Sequence, residues 1–392
     1  MNINKKAPEF RGLFYAVKIA CLFGEKQVEY KKKQKDLNMN HLISKFQIQG
    51  NPVSCERFGC GHINETYFVA CDGAVNYTLQ KINKKVFTEP RLLMENIAAT
   101  TAYIAGQNDD PRATMHLVLT KQGEACYQDE AGEYWRMYEF VPSTICLERA
   151  ESPKDFYYSG LAFGRFQGEL ADFPAETLHE PIRDFHNTPV RFEQLHAAVK
   201  ANLENRLASC QKELEFALSR ACEAGAIVDK LASGDIPLRV THNDTKLNNI
   251  LFDAETRKPL CVIDLDTIMP GSSLYDYGDA IRFGASTAAE DEKDLSKVWC
   301  DMELFRAFTE GFLEGCKGRL TPMELEMLPM GAKLMTLECG VRFLTDYLNG
   351  DTYFRTHYAG QNLDRARTQF KLVADMERKW AQMHEIVHAS IP

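Results

Sequence analysis

The sequence has no Cys-x-x-Cys pair, no long uncharged run, no P-loop and no excess of positive charge, and each absence removes a class of protein. Its twelve cysteines lie singly between Cys21 and Cys339, whereas zinc clusters need paired ligands at short spacing. Several sit in apolar stretches, such as Cys261 in Leu260-Cys261-Val262-Ile263, where a thiol packs as a small hydrophobe. The expectation is reduced core cysteines in a reducing, cytoplasmic compartment. No uncharged run approaches the roughly 18 residues that cross a bilayer, so no membrane partner is expected. The net charge of −9 argues against a nucleic-acid partner bound through counterion release. With 24 Gly and 15 Pro in 392 residues, collagen-like and low-complexity classes drop out. The 45% hydrophobic share suffices for a sizeable core in one large or two medium domains.

Charge is unevenly spread. Residues 1–38 hold nine Lys/Arg against four acids, a balance of +5, which leaves −14 for the remainder. The apolar run over residues 12–23 invites a signal-peptide reading, but Lys18 splits it and no small-x-small cleavage site precedes Lys31-Lys32-Lys33. Residues 1–40 therefore read as a basic extension, either a loosely packed arm or a stretch upstream of a working start at Met39. The sequence alone leaves both open.

From about residue 43 the pattern is strand-rich. Thr66-Tyr67-Phe68-Val69 and Tyr77-Thr78-Leu79 flank the turn signal Asp72-Gly73. Leu92, Leu93, Ile97 and Thr100 then mark a helix, followed by strands at 115–119 and 135–141 that Pro142 ends. Helical spacing returns at Leu161, Phe166, Leu170 and Phe173, and again at Leu203, Leu207, Cys210, Leu214 and Leu218. Short strands are expected around 238–241, 250–252 and 260–263, with helices resuming from Leu304 to about His388. The expectation is an α+β, two-lobed fold: a β-rich lobe over 41–142 and a mainly helical lobe with a small central hairpin over 143–392.

The strongest chemical signal is Thr241-His242-Asn243-Asp244-Thr245-Lys246-Leu247-Asn248-Asn249-Ile250-Leu251-Phe252, followed by Ile263-Asp264-Leu265-Asp266. The spacing is H-x-D-x-K-x-x-N with an acidic D-x-D fifteen residues past Asn249. Phosphoryl transfer needs a carboxylate to orient the attacking hydroxyl, an amide and a second carboxylate to hold Mg²⁺, and a cation for the γ-phosphate. Asp244, Asn249, Asp264 and Lys246 fit these roles in that order. An Asx-rich turn explains the composition but not two acidic stations at strand ends, so a kinase-type catalytic loop is the stronger reading.

Upstream, Gly59-Cys60-Gly61-His62-Ile63-Asn64 precedes a strand. It fails the dinucleotide fingerprint, because Asn64 replaces the third glycine and no helix follows. A glycine turn over bound phosphates suits a kinase-type first lobe, although an ordinary hairpin turn has the same local pattern. The strand cation is ambiguous: Gln80 and Lys81 point to opposite faces, Lys81 having the charge and Gln80 the position. Glu95 on the next helix is a possible partner, though a solvated helix-face glutamate is the plainer reading. Finally, His384-Glu385-Ile386-Val387-His388 fits H-E-x-x-H. The four residues after it offer no third ligand, so zinc hydrolysis is set aside.

These strings resemble the aminoglycoside phosphotransferase and choline kinase superfamily, the small-molecule relatives of protein kinases. Within it, the glycine segment, the 240–251 segment, Ile263-Asp264-Leu265-Asp266-Thr267-Ile268-Met269-Pro270-Gly271-Ser272, Asp279-Ala280-Ile281-Arg282-Phe283-Gly284 and Arg342-Phe343-Leu344-Thr345-Asp346-Tyr347-Leu348 are similar to the N-acetylhexosamine 1-kinases. The likeness covers nearly everything after residue 45. It implies a protein-kinase-like fold and ATP-dependent phosphorylation of the anomeric hydroxyl of a GlcNAc- or GalNAc-type sugar, with Mg²⁺. Asp244 would be base and sugar anchor, Asn249 and Asp264 the metal ligands, and Tyr138-Glu139-Phe140-Val141 the hinge for adenine. Gly59 and Gly61 would cover the phosphates, and His62, Arg342 and Tyr353 would surround the sugar. Arg342 also has a plain reading as a helix-surface arginine paired with Asp346 one turn on. Asp279 is expected to support the active-site loop. A choline- or aminoglycoside-like acceptor, or a nucleotide-sensing pseudokinase, stays open as an alternative.

Overall fold

The computed structural model describes residues 39–59 and 63–391. The basic extension and the candidate residues Gly61 and His62 lie outside the described residues.

The first lobe is built on an antiparallel sheet. Strands β1 (Pro52–Arg57), β2 (Glu65–Cys71), β3 (Tyr77–Ile82), β6 (Tyr134–Glu139) and β4 (Leu117–Val118) pair in that order, and β5 (Tyr127–Gln128) also pairs with β6. The alternation of β-strand side chains gives this sheet two working faces. Val69, Tyr77, Leu79, Trp135 and Met137 pack on one side with Leu42 and Ile43 of the short helix α1 (Asn40–Ile43) and with Phe46. Ile82 and Tyr138 on the other side meet Leu93, Met94 and Ile97 of helix α2 (Pro90–Ala105). Pro90 at the first position suits a helix start, where no N–H partner is needed. Buried Asn96 on α2 donates to the carbonyls of His179 and Ile268 at 2.8 and 2.9 Å, tying the helix to the second lobe.

The second lobe is mainly helical. Its largest core joins helices α3 (Pro153–Glu169), α4 (Thr188–Ala201), α5 (Gln211–Leu218), α6 (Val228–Ser233), α7 (Ser273–Gly284), α8 (Met302–Cys316), α9 (Pro322–Leu348), α10 (Gln361–Arg378) and α11 (Trp380–Ser390). Helices α3 and α8 meet backbone to backbone. A Cβ on Gly164 would lie 2.2 Å from the Phe312 carbonyl oxygen, and one on Gly311 would lie 2.0 Å from that of Tyr157. Only glycine permits that approach. Helix α9 opens with a capping box between Thr321 and Glu324. The Glu324 carboxylate also accepts from Arg239 at 2.7 Å and from Ser273 at 2.8 Å, so one buried acid fixes the start of three elements.

Two small ladders hold the loops between the lobes. Strand β9 (Ile250–Asp253) pairs with β10 (Pro259–Val262) and with β7 (Thr144–Ile145), and β8 (Arg239–Thr241) pairs with β11 (Met269–Gly271). The expected hairpin is thus a three-stranded sheet, because two residues just past Pro142 add an edge.

Two expectations fail here. The helical period over 203–218 is interrupted: Asn202 takes a left-handed φ of 40°, Leu203 is exposed, and α5 begins only at Gln211. Helix α7 was not expected at all. It is buried along Ser273 to Arg282, and two Gly, two Tyr and two Asp among its twelve residues are weak helix formers; its acids read as loop residues.

Candidate active site

The catalytic loop runs from the end of β8 to the start of β9. Its His242 is fully buried between Phe163 and Phe166, with ring centroids at 5.5 and 6.0 Å. The ring Nε2 faces the Ile263 carbonyl at 2.9 Å and Nδ1 faces the Asp244 amide at 3.2 Å. These partners assign the hydrogen to Nε2 and make Nδ1 the acceptor. His242 therefore braces both acidic stations and is not itself presented to a reactant. Asn243 adopts φ 66°, a left-handed conformation that asparagine tolerates, and donates to the Thr267 carbonyl at 2.8 Å. Asp276 on α7 closes the turn from below, accepting from the amides of His242 at 3.0 Å and Asn243 at 2.8 Å and from Gln167 at 2.7 Å.

This scaffold presents Asp244. Lys246 Nζ lies 2.6 Å from its Oδ1, and Asn249 Nδ2 donates to its Oδ2 at 3.1 Å. Burial would depress the Lys246 ammonium, but the Asp244 and Asp279 carboxylates outweigh it and hold its pKa above the ordinary lysine value. Asp279 accepts from the Thr245 amide at 3.2 Å and from Arg282 at 2.8 Å. Burial alone would raise its carboxyl, yet Arg282 and Lys246 bring it below the usual range. It supports the loop, as expected.

Asp264 stands on the next turn, at φ 59°. Its side chain is exposed to water, although protein packs closely around it. That desolvation first, and then repulsion from Asp266 and Asp244, push its carboxyl up to about 6, with Arg136 and His242 opposing. Asn249 beside Asp244, and Asp264 near enough to be repelled by that carboxylate, offer oxygen donors of the kind that suit a hard divalent cation such as Mg²⁺.

The sequence reading left the strand cation undecided. Lys81 points to the outer face and pairs with Glu133 at 3.3 Å. Gln80 points inward and accepts from Arg136 Nε at 2.9 Å, its cross-strand neighbour on β6. Fully buried Arg136 also pairs with Asp266, whose other oxygen accepts from Asn64 at the end of the glycine turn. Desolvation works against the Arg136 charge, but Asp266 more than compensates and keeps it charged. Lys81 is thus removed from the inner face, and the buried cation that reaches the second lobe from this face of the sheet is Arg136. Its one sequence signal is an arginine inside the apolar run Tyr134-Trp135-Arg136-Met137-Tyr138. Glu95 is exposed and pairs with His179 at 2.8 Å, the solvated position expected of it.

Hinge geometry narrows the donors. The Glu139 amide donates to the His116 carbonyl and the Phe140 amide to that of Asn76, at 2.9 and 2.8 Å. Neither N–H is free for a base. Tyr138 is buried, and Phe140 packs on Phe68 at 4.9 Å. Gly59 has φ 78° with open space where a Cβ would stand.

On the second lobe, Arg342 does not pair with Asp346. That acid instead accepts from the amides of Thr352, Tyr353 and Phe354 at 2.9, 2.8 and 2.9 Å. The Arg342 guanidinium lies 5.4, 5.9 and 5.5 Å from the rings of Phe185, Tyr353 and Phe354. A cleft of about 430 Å³ opens between Phe185 and Asn243, with His186 and Tyr275 in its wall. His186 Nδ1 faces Glu338 at 2.9 Å, and its buried Nε2 has no partner among the described residues.

Comparison with known proteins agrees with this geometry. Among solved structures, the fold is similar to an aminoglycoside phosphotransferase from Alicyclobacillus acidocaldarius, with a TM-score of 0.59 and 12% identity over 88% of this chain and 95% of that one. It is also similar to a microcompartment-associated aminopropanol kinase, with a TM-score of 0.53 and 17% identity over 88% and 97%. An amicoumacin kinase solved with AMP-PNP and Ca²⁺ gives a TM-score of 0.55 at 14% identity over 86% and 92%. At these identities the likeness establishes the kinase-like fold. Residues 54–308, from β1 through both acidic stations into α8, match the phosphotransferase enzyme family, and the chain belongs to that family of small-molecule phosphotransferases.

Proposed function

We propose that the protein transfers the γ-phosphoryl group of ATP to the anomeric hydroxyl of an N-acetylhexosamine, giving the sugar 1-phosphate and ADP. Asp244 accepts the proton of the attacking hydroxyl as the new P–O bond forms and the bond to ADP breaks. Lys246, held against Asp244, keeps that carboxylate oriented and places positive charge beside the transferring group. Asn249 and Asp264 would hold Mg²⁺, which when bound neutralises phosphate charge. Val141 offers the hinge N–H for adenine, since Pro142 has none and the two preceding amides are engaged.

The observation that carries the acceptor reading is the setting of Arg342. A guanidinium bounded by Phe185, Tyr353 and Phe354, with Tyr353 itself 68% exposed, offers donors beside an apolar platform. A neutral amide-bearing pyranose presents the complementary surfaces, and a pocket built to hydrogen-bond such groups rejects analogues lacking them by as much as ~10⁴.

One observation favours a second reading. Glu176, Glu180 and Asp184 also line the cleft, and carboxylates there would suit an acceptor carrying an amine, the class named for the aminopropanol and aminoglycoside enzymes of similar fold. Initial rates on N-acetylglucosamine, N-acetylgalactosamine, aminopropanol, choline and kanamycin separate the two, with ³¹P NMR of the product. A phosphate signal coupled to the sugar H1 supports the proposal. Turnover of the amines without the hexosamines replaces it with the second reading.

A further inference from the structure

The H-E-x-x-H segment lacks a third ligand only in sequence. His384 and His388 lie one turn apart on α11, and the packing of the last helix sets both against Glu326 in the second turn of α9. The Glu326 carboxylate lies 3.5 Å from His384 Nδ1 and 3.3 Å from His388 Nε2. One donor atom from each residue falls within 4.8 Å of the other two. The two imidazoles stack at 6.3 Å and 30°, and Trp380 packs edge-on against His384 at 5.0 Å.

We infer that Glu326, His384 and His388 form a binding site for a divalent first-row transition ion, zinc by ligand type, which clamps the C-terminal helix to α9. Two imidazole nitrogens and one carboxylate oxygen make a set that first-row ions accept and that Mg²⁺ and Ca²⁺ do not favour. A tetrahedral ion with bonds of about 2.0–2.1 Å sets its donors about 3.3 Å apart. The two carboxylate–imidazole separations run to different oxygens of Glu326, Oε1 for His384 and Oε2 for His388. Closing the set on one ion therefore requires side-chain torsions of Glu326 and of two partly exposed histidines to draw donors that lie within 4.8 Å of one another to that edge. The fourth position faces solvent, because His388 and Glu326 are 58% and 55% exposed. The role is a staple: the ion joins two helices that are far apart in sequence. Exposed Glu385 is outside the donor set, so no hydrolytic role follows.

The test is titration of the full-length protein with ZnCl₂ by calorimetry, and with Co²⁺ by visible absorption. One equivalent should bind with a micromolar Kd, and saturating Zn²⁺ should raise Tm, a shift that EDTA reverses. His388→Ala and Glu326→Gln, both at exposed positions, should melt like wild type without metal. Each should weaken that binding at least tenfold and lose the thermal shift. Competition from exposed thiols is resolved by these variants. Binding of unchanged affinity in both variants, or no binding by the wild type, would overturn the inference.

Discussion

Asp276→Ala tests how the catalytic loop is held. The Asp276 side chain is fully buried, and its two oxygens accept from three donors: the amides of His242 and Asn243 and the side chain of Gln167. Alanine leaves the two amides without an acceptor beneath the loop and takes one of two acceptors from Gln167, which still donates to the Val240 carbonyl at 3.0 Å. Each orphaned buried donor costs about 1–3 kcal/mol. Simple addition overshoots, because the donors share one acceptor and the wild-type carboxylate itself carries a desolvation penalty. Burial pushes its carboxyl above the ordinary value, with only partial opposition from His242 and the three hydrogen bonds. We therefore expect a loss of about 3–4 kcal/mol in urea unfolding. Asp276→Asn retains one oxygen and should lose about half as much on the same reasoning. Activity should fall further than stability alone predicts. The Asn243 backbone, at φ 66°, is pinned through its amide, and Asp244 follows it directly. A displacement on the order of 1 Å at the base costs about 10²-fold in kcat, while KM for ATP should change little. An alanine variant within about 1 kcal/mol of wild type, with kcat intact, would refute this reasoning, since the expected loss starts from at least one orphaned donor.

Other perturbations separate the parts of the site. Asp244→Asn should fold and bind nucleotide normally while kcat drops by ~10²–10⁴, the range for a general base; near-native turnover would remove it from that role. The Asp264 carboxyl, pushed up to about 6 from 3.8, keeps its proton in the folded chain over a window where the unfolded chain has released it. Its contribution to stability is thus greatest below that window and fades as pH rises through 6. Metal binding runs the opposite way, so KM for Mg-ATP should climb as pH falls through about 6, read from initial rates at fixed free Mg²⁺. Arg136→Met leaves Asp266 buried without its cation and should cost about 3–5 kcal/mol by thermal or urea unfolding; a neutral result would mean that Asn64 alone satisfies the acid. Gly164→Ala places a methyl 2.2 Å from the Phe312 carbonyl oxygen, and overpacking of that order should lower stability by about 1–3 kcal/mol or more.

Much of the site was legible because its chemistry is local. Asp244, Lys246 and Asn249 fall within six residues, and their spacing already implies the side-chain contacts observed at 2.6 and 3.1 Å. The two-lobe plan was legible for the same reason: period-two strands precede Pro142 and helical spacing follows it. What the sequence hid is long-range. Arg136 meets Asp266 across 130 positions, and Asn64 reaches the same carboxylate across 202. Arg136 belongs to no spaced motif and reads as an irregularity in an apolar strand, and the glycine segment that Asn64 ends says nothing of so distant a partner. Helix α7 was invisible because its Gly, Tyr and Asp residues are weak helix formers, which also concealed Asp276. Glu326 escaped because a third metal ligand was sought only after His388, whereas the last helix folds back onto one that precedes it.

The pairing of the buried acids explains why Asp264 stands apart. Asp266 has Arg136 and Asn64. Asp279 has Arg282 and the Thr245 amide. Asp276 has two amides and Gln167, and Asp244 has Lys246 and Asn249. A buried or half-buried carboxylate is costly unless something positive or hydrogen-bonding meets it, and the fold answers that cost at these four positions. Asp264 is exposed to water, and its side chain has no hydrogen-bond donor among the described residues. The two neighbouring acids raise its carboxyl, and the nearest fixed cation, Arg136, is committed to Asp266. Adding a lysine beside Asp264 would relieve the strain and remove the reason for a divalent ion to bind. The unanswered charge at this one position is therefore what the proposed phosphoryl transfer requires: negative potential open to solvent beside the other acids, to be neutralised by Mg²⁺ when the nucleotide arrives.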